Sequence, residues 1–151
     1  MEAILEVKNL TTRFRMIDKT VTAVDNLSFS LYKNEILAMV GESGSGKSVT
    51  NLSVMKLIDP PGEIDPDSEI LFSGTNITSL SEKDMEKIRG KRISMIFQEP
   101  SASFNPLFRI GSQIGEGLRN HLDYDRKRAF EEAVKLLEQV HIPNSSLKAM
   151  D

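Results

Sequence analysis

Two short apolar runs interrupt an otherwise mixed chain, Ile36-Leu37-Ala38-Met39-Val40 and Ile93-Ser94-Met95-Ile96-Phe97. Runs of this length predict strands buried on both faces. Ahead of the first, Ile4-Leu5-Glu6-Val7-Lys8-Asn9-Leu10 partly alternates, and a first strand is expected there. A polar stretch around Arg13-Phe14-Arg15-Met16-Ile17-Asp18-Lys19 should interrupt it. Val21, Ala23, Leu27, Phe29 and Leu31 then alternate with polar residues, as in half-exposed strands of an antiparallel sheet. Lys33-Asn34-Glu35 reads as a turn, with Asn34 suited to a left-handed conformation.

Helical spacing begins after residue 48. Val49 to Ile58 is expected to be a mostly apolar helix that stops before Pro60 and Pro61. Pro60 to Asp67 is rich in breakers and reads as loop. Glu69-Ile70-Leu71-Phe72 predicts a short strand and Ser73-Gly74-Thr75-Asn76 a turn. Ser81 with Asp84 three residues on resembles a capping box, and Gly90 a helix stop. Beyond Pro100 a loop leads to a helix around 110–121. Asp125 caps a longer one through Val140, with Ala129, Phe130, Ala133, Val134 and Leu137 at helical spacing. Pro143 and Asn144 should end it. The expected fold is α/β, a mixed sheet around one helix with an antiparallel β portion at the N-terminus. Residues 1–100 form the core and residues 101–151 begin a helical subdomain.

The chemistry lies between the first buried run and the helix that follows. Gly41-Glu42-Ser43-Gly44-Ser45-Gly46-Lys47-Ser48 fits the phosphate-loop pattern G-x-x-x-x-G-K-[ST] at every fixed position. Glycines let the backbone curl so that successive N–H groups face phosphate oxygens. The helix start adds free N–H groups and a partial positive charge. Lys47 is expected to reach the β- and γ-phosphates and the Ser48 hydroxyl to ligate Mg²⁺. A second candidate is Gln98, at the end of the second apolar run, whose amide can meet a Mg²⁺-bound or attacking water without adding charge.

Composition narrows the picture only modestly. The net charge of −3 gives no support to a nucleic-acid partner. Without Cys there is no disulfide framework and no thiolate metal or iron–sulfur site. The start, Met1-Glu2-Ala3-Ile4, lacks the segments of a signal peptide, and no apolar run approaches the roughly 20 residues of a membrane span. A cytoplasmic protein is expected, associated with a membrane only through a partner.

The phosphate loop together with Phe97-Gln98-Glu99-Pro100-Ser101-Ala102-Ser103-Phe104-Asn105-Pro106 resembles the ATP-binding subunits of ABC transporters, in the peptide-importer branch that serves dipeptides, oligopeptides and nickel. Phe104 stands where Leu is usual, and Asn34 where Gly often precedes Glu35. Phe72-Ser73-Gly74 and Ile110-Gly111-Ser112-Gln113-Ile114 also look like that branch. The resemblance implies that Gly41, Glu42, Ser43, Gly44, Ser45, Gly46, Lys47, Ser48 and Val49 bind ATP. It implies that Ser48 and Gln98 serve Mg²⁺ and that Phe14 stacks on adenine. Lys47 and Gln98 are its catalytic candidates. The segment after Gln98 would face transmembrane permease subunits. A second ATP-binding subunit and an extracellular substrate-binding protein would complete the assembly, on the inner face of the cell membrane.

The family's Gly-Gly signature loop and the Asp-Glu of its Walker B strand have no counterpart here; Leu57-Ile58-Asp59 lies on the phosphate-loop helix. His121 and His141 read as surface or helix-end residues rather than a switch histidine. The chain is thus expected to be the N-terminal part of a subunit, able to bind MgATP but hardly to hydrolyse it. Two other readings are a small nucleotide kinase, which would need an arginine-bearing lid, and an ABC protein outside transport. Of the arginines that follow Arg109, Arg119 is available, whereas Arg126 and Arg128 read as the solvated face of a helix.

Overall fold

The computed structural model describes residues 2–151. The chain divides into two compact units, Met1–Glu86 and Lys87–Asp151.

The first unit is organised on one long strand, β1 (Ala3–Arg15). It continues through Arg13 and Phe14, which the sequence reading assigns to an interruption. The chain reverses only at 16–19, where the Met16 N–H donates to the Lys19 carbonyl at 2.8 Å. The returning strand β2 (Thr20–Tyr32) pairs antiparallel with β1, as its alternation predicts. The pairing carries four register shifts. Asn9 and Asn26 take left-handed φ near two of them. There side-chain hydroxyls replace ladder bonds: the Asn9 N–H donates to Ser28 Oγ at 2.8 Å and the Asn26 N–H to Thr11 Oγ1 at 3.0 Å. Asn34 turns at φ 62°, in line with the expected turn.

Helix α1 (Lys47–Val54) follows the phosphate loop. It ends four residues earlier than the sequence predicts. Lys56 adopts φ 52°, the Leu57 N–H closes back on the Leu52 carbonyl at 2.8 Å, and the Lys56 ammonium donates to the carbonyls of Thr78 and Leu80. A left-handed residue and a tertiary anchor stop this helix before the prolines do. The supposed loop 60–67 contains a short strand, β3 (Gly62–Ile64), paired with β1. Strand β4 (Glu69–Phe72) also pairs with β1 and turns into β5 (Thr75–Asn76). Ser73 and Gly74, at φ 47° and 76°, make the two-residue primed turn that matches strand twist. The five strands form one antiparallel sheet, ordered β2-β1-β4-β5 with β3 on β1. Leu10, Ile70, Val7 and Phe72 fill its core, which Val54 and Met55 complete. Each such side chain contributes about 1.5–3 kcal/mol by leaving water. Helix α2 (Glu82–Glu86) starts at Ser81, whose Oγ accepts from the Asp84 N–H at 3.2 Å and donates to the Asp84 carboxylate at 2.6 Å.

Both apolar runs depart from expectation. Residues 36–40 are neither buried nor paired: Ile36 is 96% and Val40 90% exposed. Residues 93–97 make a single isolated bridge, Arg89 with Ile93, and Ile96 is 91% exposed. A strand apolar on both faces needs neighbours on both edges and cover on both sides. Among the described residues no strand is paired with either run.

In the second unit a 3-10 turn, Pro100–Ser103, precedes α3 (Ile110–Leu122), α4 (Arg126–Gln139) and a short α5 (Ser145–Lys148). The first two match the predicted helices; α5 was not foreseen. The Asp125 carboxylate accepts from the Arg128 N–H at 2.8 Å, the cap that the sequence implies. Helices α3 and α4 meet on small residues. Gly111 and Gly115 face Phe130 and Ala129, and Ala129 and Ala133 are fully buried.

Candidate functional site: the phosphate loop

Strand β2 and helix α1 hold the loop between them. Gly44 and Gly46 stand at φ 82° and 87°, the left-handed region that side chains resist. At Gly46 there is a second constraint, because a Cβ there would run into the carbonyl oxygen of Ala23 on β2. Gly46 also caps α1, and its carbonyl accepts from both the N–H (2.8 Å) and the hydroxyl (3.0 Å) of Thr50. On the far side of the helix, the hydroxyls of Ser53 and Thr12 meet at 2.9 Å, tying α1 to β1. The helix therefore starts at a position fixed by the sheet.

That start is electrostatically open. No side chain caps it and no acidic residue occupies its first turn. Its first amides and the helix dipole are left to an anion. Lys47, the first helical residue, curls back over the loop. Its ammonium donates to the carbonyls of Gly41 (2.8 Å) and Glu42 (2.7 Å) and to Ser45 Oγ (3.1 Å). Three neutral acceptors thus hold the charge at the loop, where phosphate oxygens would bind it more strongly. Ser48 is exposed beside it, and Val49 is half-buried. Gly41 to Val49 are brought together as one curled segment, as the motif predicts.

The remaining sites have different settings. Phe14 sits within β1, opposite Val21 and Gly62, half-buried with its ring against Gly62. Gln98 belongs to the second unit, at an exposed bend that follows an unpaired segment rather than a strand. Gln113 is more telling than its sequence suggests. Its amide oxygen accepts from the Asn105 N–H at 2.8 Å, and its amide nitrogen donates to the carbonyls of Asn105 (3.0 Å) and Phe108 (2.7 Å). It braces the loop that follows Gln98 onto α3. The signal was an amide residue in the first turn of a helix after an Asn-Pro loop. A cavity of about 660 Å³ lined by Lys56, Asp65, Ser68, Asn76 and Thr78 includes no phosphate-loop residue.

Residues 24–150 match the family of the ABC transporter. The chain belongs to that family. Among relatives, the oligopeptide transport ATP-binding protein OppD of Bacillus subtilis is 48% identical over 140 residues, which cover 93% of this chain and 39% of that protein. The dipeptide transport ATP-binding protein DppD of Lactococcus lactis is 46% identical over 151 residues, covering 99% and 43%. The chain therefore spans about 40% of the length of such relatives. In fold it is similar to MJ0796, solved as a dimeric bacterial ABC transporter cassette, with a TM-score of 0.75 at 21% identity over 93% of this chain and 58% of that one. The expected α/β cassette fold is thus borne out. Its N-terminal antiparallel sheet is fully paired here, whereas the two central apolar runs are not.

Proposed function

We propose that this chain forms the N-terminal part of the ATP-binding subunit of an ABC importer for dipeptides or oligopeptides. The observation that carries the reading is the curled, uncapped phosphate loop with the Lys47 ammonium held across it. The similarity to OppD and DppD supports the peptide class. Residues 1–100 then belong to the nucleotide-binding core and residues 101–151 to a helical subdomain. Lys47 and the amides of Gly41 to Val49 hold the phosphates, and Phe14 offers a ring face to adenine. Among the described residues no group of three or more His, Asp or Glu could hold a metal. Mg²⁺ carried by the nucleotide keeps several of its waters, and Ser48 and Gln98 are the protein oxygens proposed to serve it.

The segment after Gln98, braced by Gln113, faces permease subunits at the inner membrane surface, and a second ATP-binding subunit closes over the nucleotide. The extracellular binding protein acts on the permease, indirectly. No helix among the described residues is long and apolar enough to cross a membrane. Hydrolysis needs a group that orients the attacking water. The residues here supply Gln98 but no Walker B carboxylate, so the 151-residue chain binds MgATP and hydrolyses it negligibly. Calorimetric titration with ATP, with and without Mg²⁺, tests this. Lys47→Ala should weaken binding about 10- to 150-fold, the range of a lost charge-assisted hydrogen bond. Gln98→Ala should blunt the Mg²⁺ dependence. Equal affinity in wild type and Lys47→Ala would refute the reading.

A further inference from the structure

Three arginines that nucleotide binding does not use converge within the second unit. Arg109 precedes α3, Arg119 lies in its last turn, and Arg126 opens α4. Together with Gly111, Ser112 and Phe130 they line a cavity of about 330 Å³. Ser112 and Arg119 are seven residues apart, two turns along one face of α3, so the groove extends for about 10 Å. Phe130 supplies apolar lining, its ring lying so close to Gly111 that a Cβ there would fall 2.9 Å from it.

Charge pairing sets these arginines apart from their neighbours. On α4, Lys127 is 4.0 Å from Glu131 and Lys135 is 3.0 Å from Glu132. The Asp125 carboxylate caps the helix, and the Arg128 guanidinium lies 3.8 Å over the Tyr124 ring. Arg109, Arg119 and Arg126 make no ion pair or side-chain hydrogen bond among the described residues. Glu116, on α3 between Ser112 and Arg119, pairs with none of them. No acidic residue occupies the first turn of α3 either. Three like charges around one groove repel each other unless an anion joins them.

We propose that this groove binds a phosphate-bearing anion, carried either by a free diphosphate or by the headgroup of an anionic lipid. A tetrahedral phosphate accepts from several guanidinium forks at once, whereas a carboxylate is satisfied by one. The site is distinct from the phosphate loop, and it does not depend on the peptide-import reading.

The test follows backbone amide shifts in the ¹⁵N-labelled 151-residue chain carrying Lys47→Ala, so that the phosphate loop is weakened. Sodium pyrophosphate is titrated in one arm. In the other, flotation is measured with phosphatidylglycerol and with phosphatidylcholine vesicles. Saturable shifts at Gly111, Ser112 and Phe130 identify a free phosphate compound. Flotation with phosphatidylglycerol alone identifies the headgroup. Either response should weaken about tenfold or more in Arg119→Gln/Arg126→Gln and fall as salt is raised. The exposed single variant Arg109→Gln, with unchanged circular dichroism, should show a smaller loss and guards against misfolding of the double variant. No response in either arm, or one that the arginine substitutions leave intact, overturns the proposal.

Discussion

The two units bury different things. Met1–Glu86 encloses Leu5, Val7, Leu10, Val24, Ile70, Phe72, Ile77 and Met85 under an antiparallel sheet. In Lys87–Asp151 the buried apolar residues among those described are Ile88 and three alanines, Ala129, Ala133 and Ala149. Several of its large apolar side chains, Ile96, Phe97, Leu107, Phe108 and Leu147 among them, are exposed. The units also differ in charge. Lys87–Asp151 holds eleven Lys and Arg against eight Asp and Glu, although the whole chain is acidic. The first unit holds its loop by main-chain geometry on a well-filled core. The second packs helices closely but removes little apolar surface from water, and its stability should be correspondingly small. A phosphate grip needs the first kind of support, because main-chain amides must be fixed before the ligand arrives.

Substitutions confined to one unit sharpen or break this contrast. Ile70→Ala, at a fully buried position in β4, should cost about 2–5 kcal/mol. Hydrogen exchange should show protection lost in β1 and β4 while α3 and α4 keep theirs; equal loss everywhere would mean that the two units fold as one. Gly46→Ala should cost about 1–3 kcal/mol for its left-handed backbone, and more for the collision with Ala23. Thermal melts would show it, and nucleotide affinity should fall with stability because the same residue starts α1. Gly115→Val inserts bulk where a Cβ already falls 3.3 Å from Ala129 Cβ. It should cost about 1–3 kcal/mol, read as loss of exchange protection in α3 and α4 alone. Asp125→Ala removes a helix cap, worth about 1 kcal/mol, and should fray the start of α4.

The smallest effect concerns pH. The Asp67 N–H and the Arg13 guanidinium hold the Asp65 carboxyl below its ordinary value of 3.8. A depressed carboxylate stabilises the fold above the unfolded value, and that contribution disappears as pH falls through the depressed one. The stability gap between wild type and Asp65→Asn should therefore be present at neutral pH and shrink below about pH 3.8. A gap independent of pH would show that the Asp65 carboxylate contributes nothing to stability through its charge.

Local rules carried much of the reading. The phosphate loop, the Asn34 turn, the Ser73-Gly74 turn, the Ser81 and Asp125 caps and the span of α3 each depend on residues within a few positions of one another, and each is found where its sequence points. Tertiary structure decided the rest. The sheet carried β1 through Phe14, a left-handed Lys56 shortened α1, and β1 recruited β3 from a breaker-rich loop. Residues 36–40 and 93–97 mark the limit most clearly. Their apolar character is written in the chain, but a buried strand also requires partners on both edges, and pairing over long separations is a property of the whole sheet. The arginine groove is a similar case, because residues 109, 119 and 126 share a cavity only once two helices have packed.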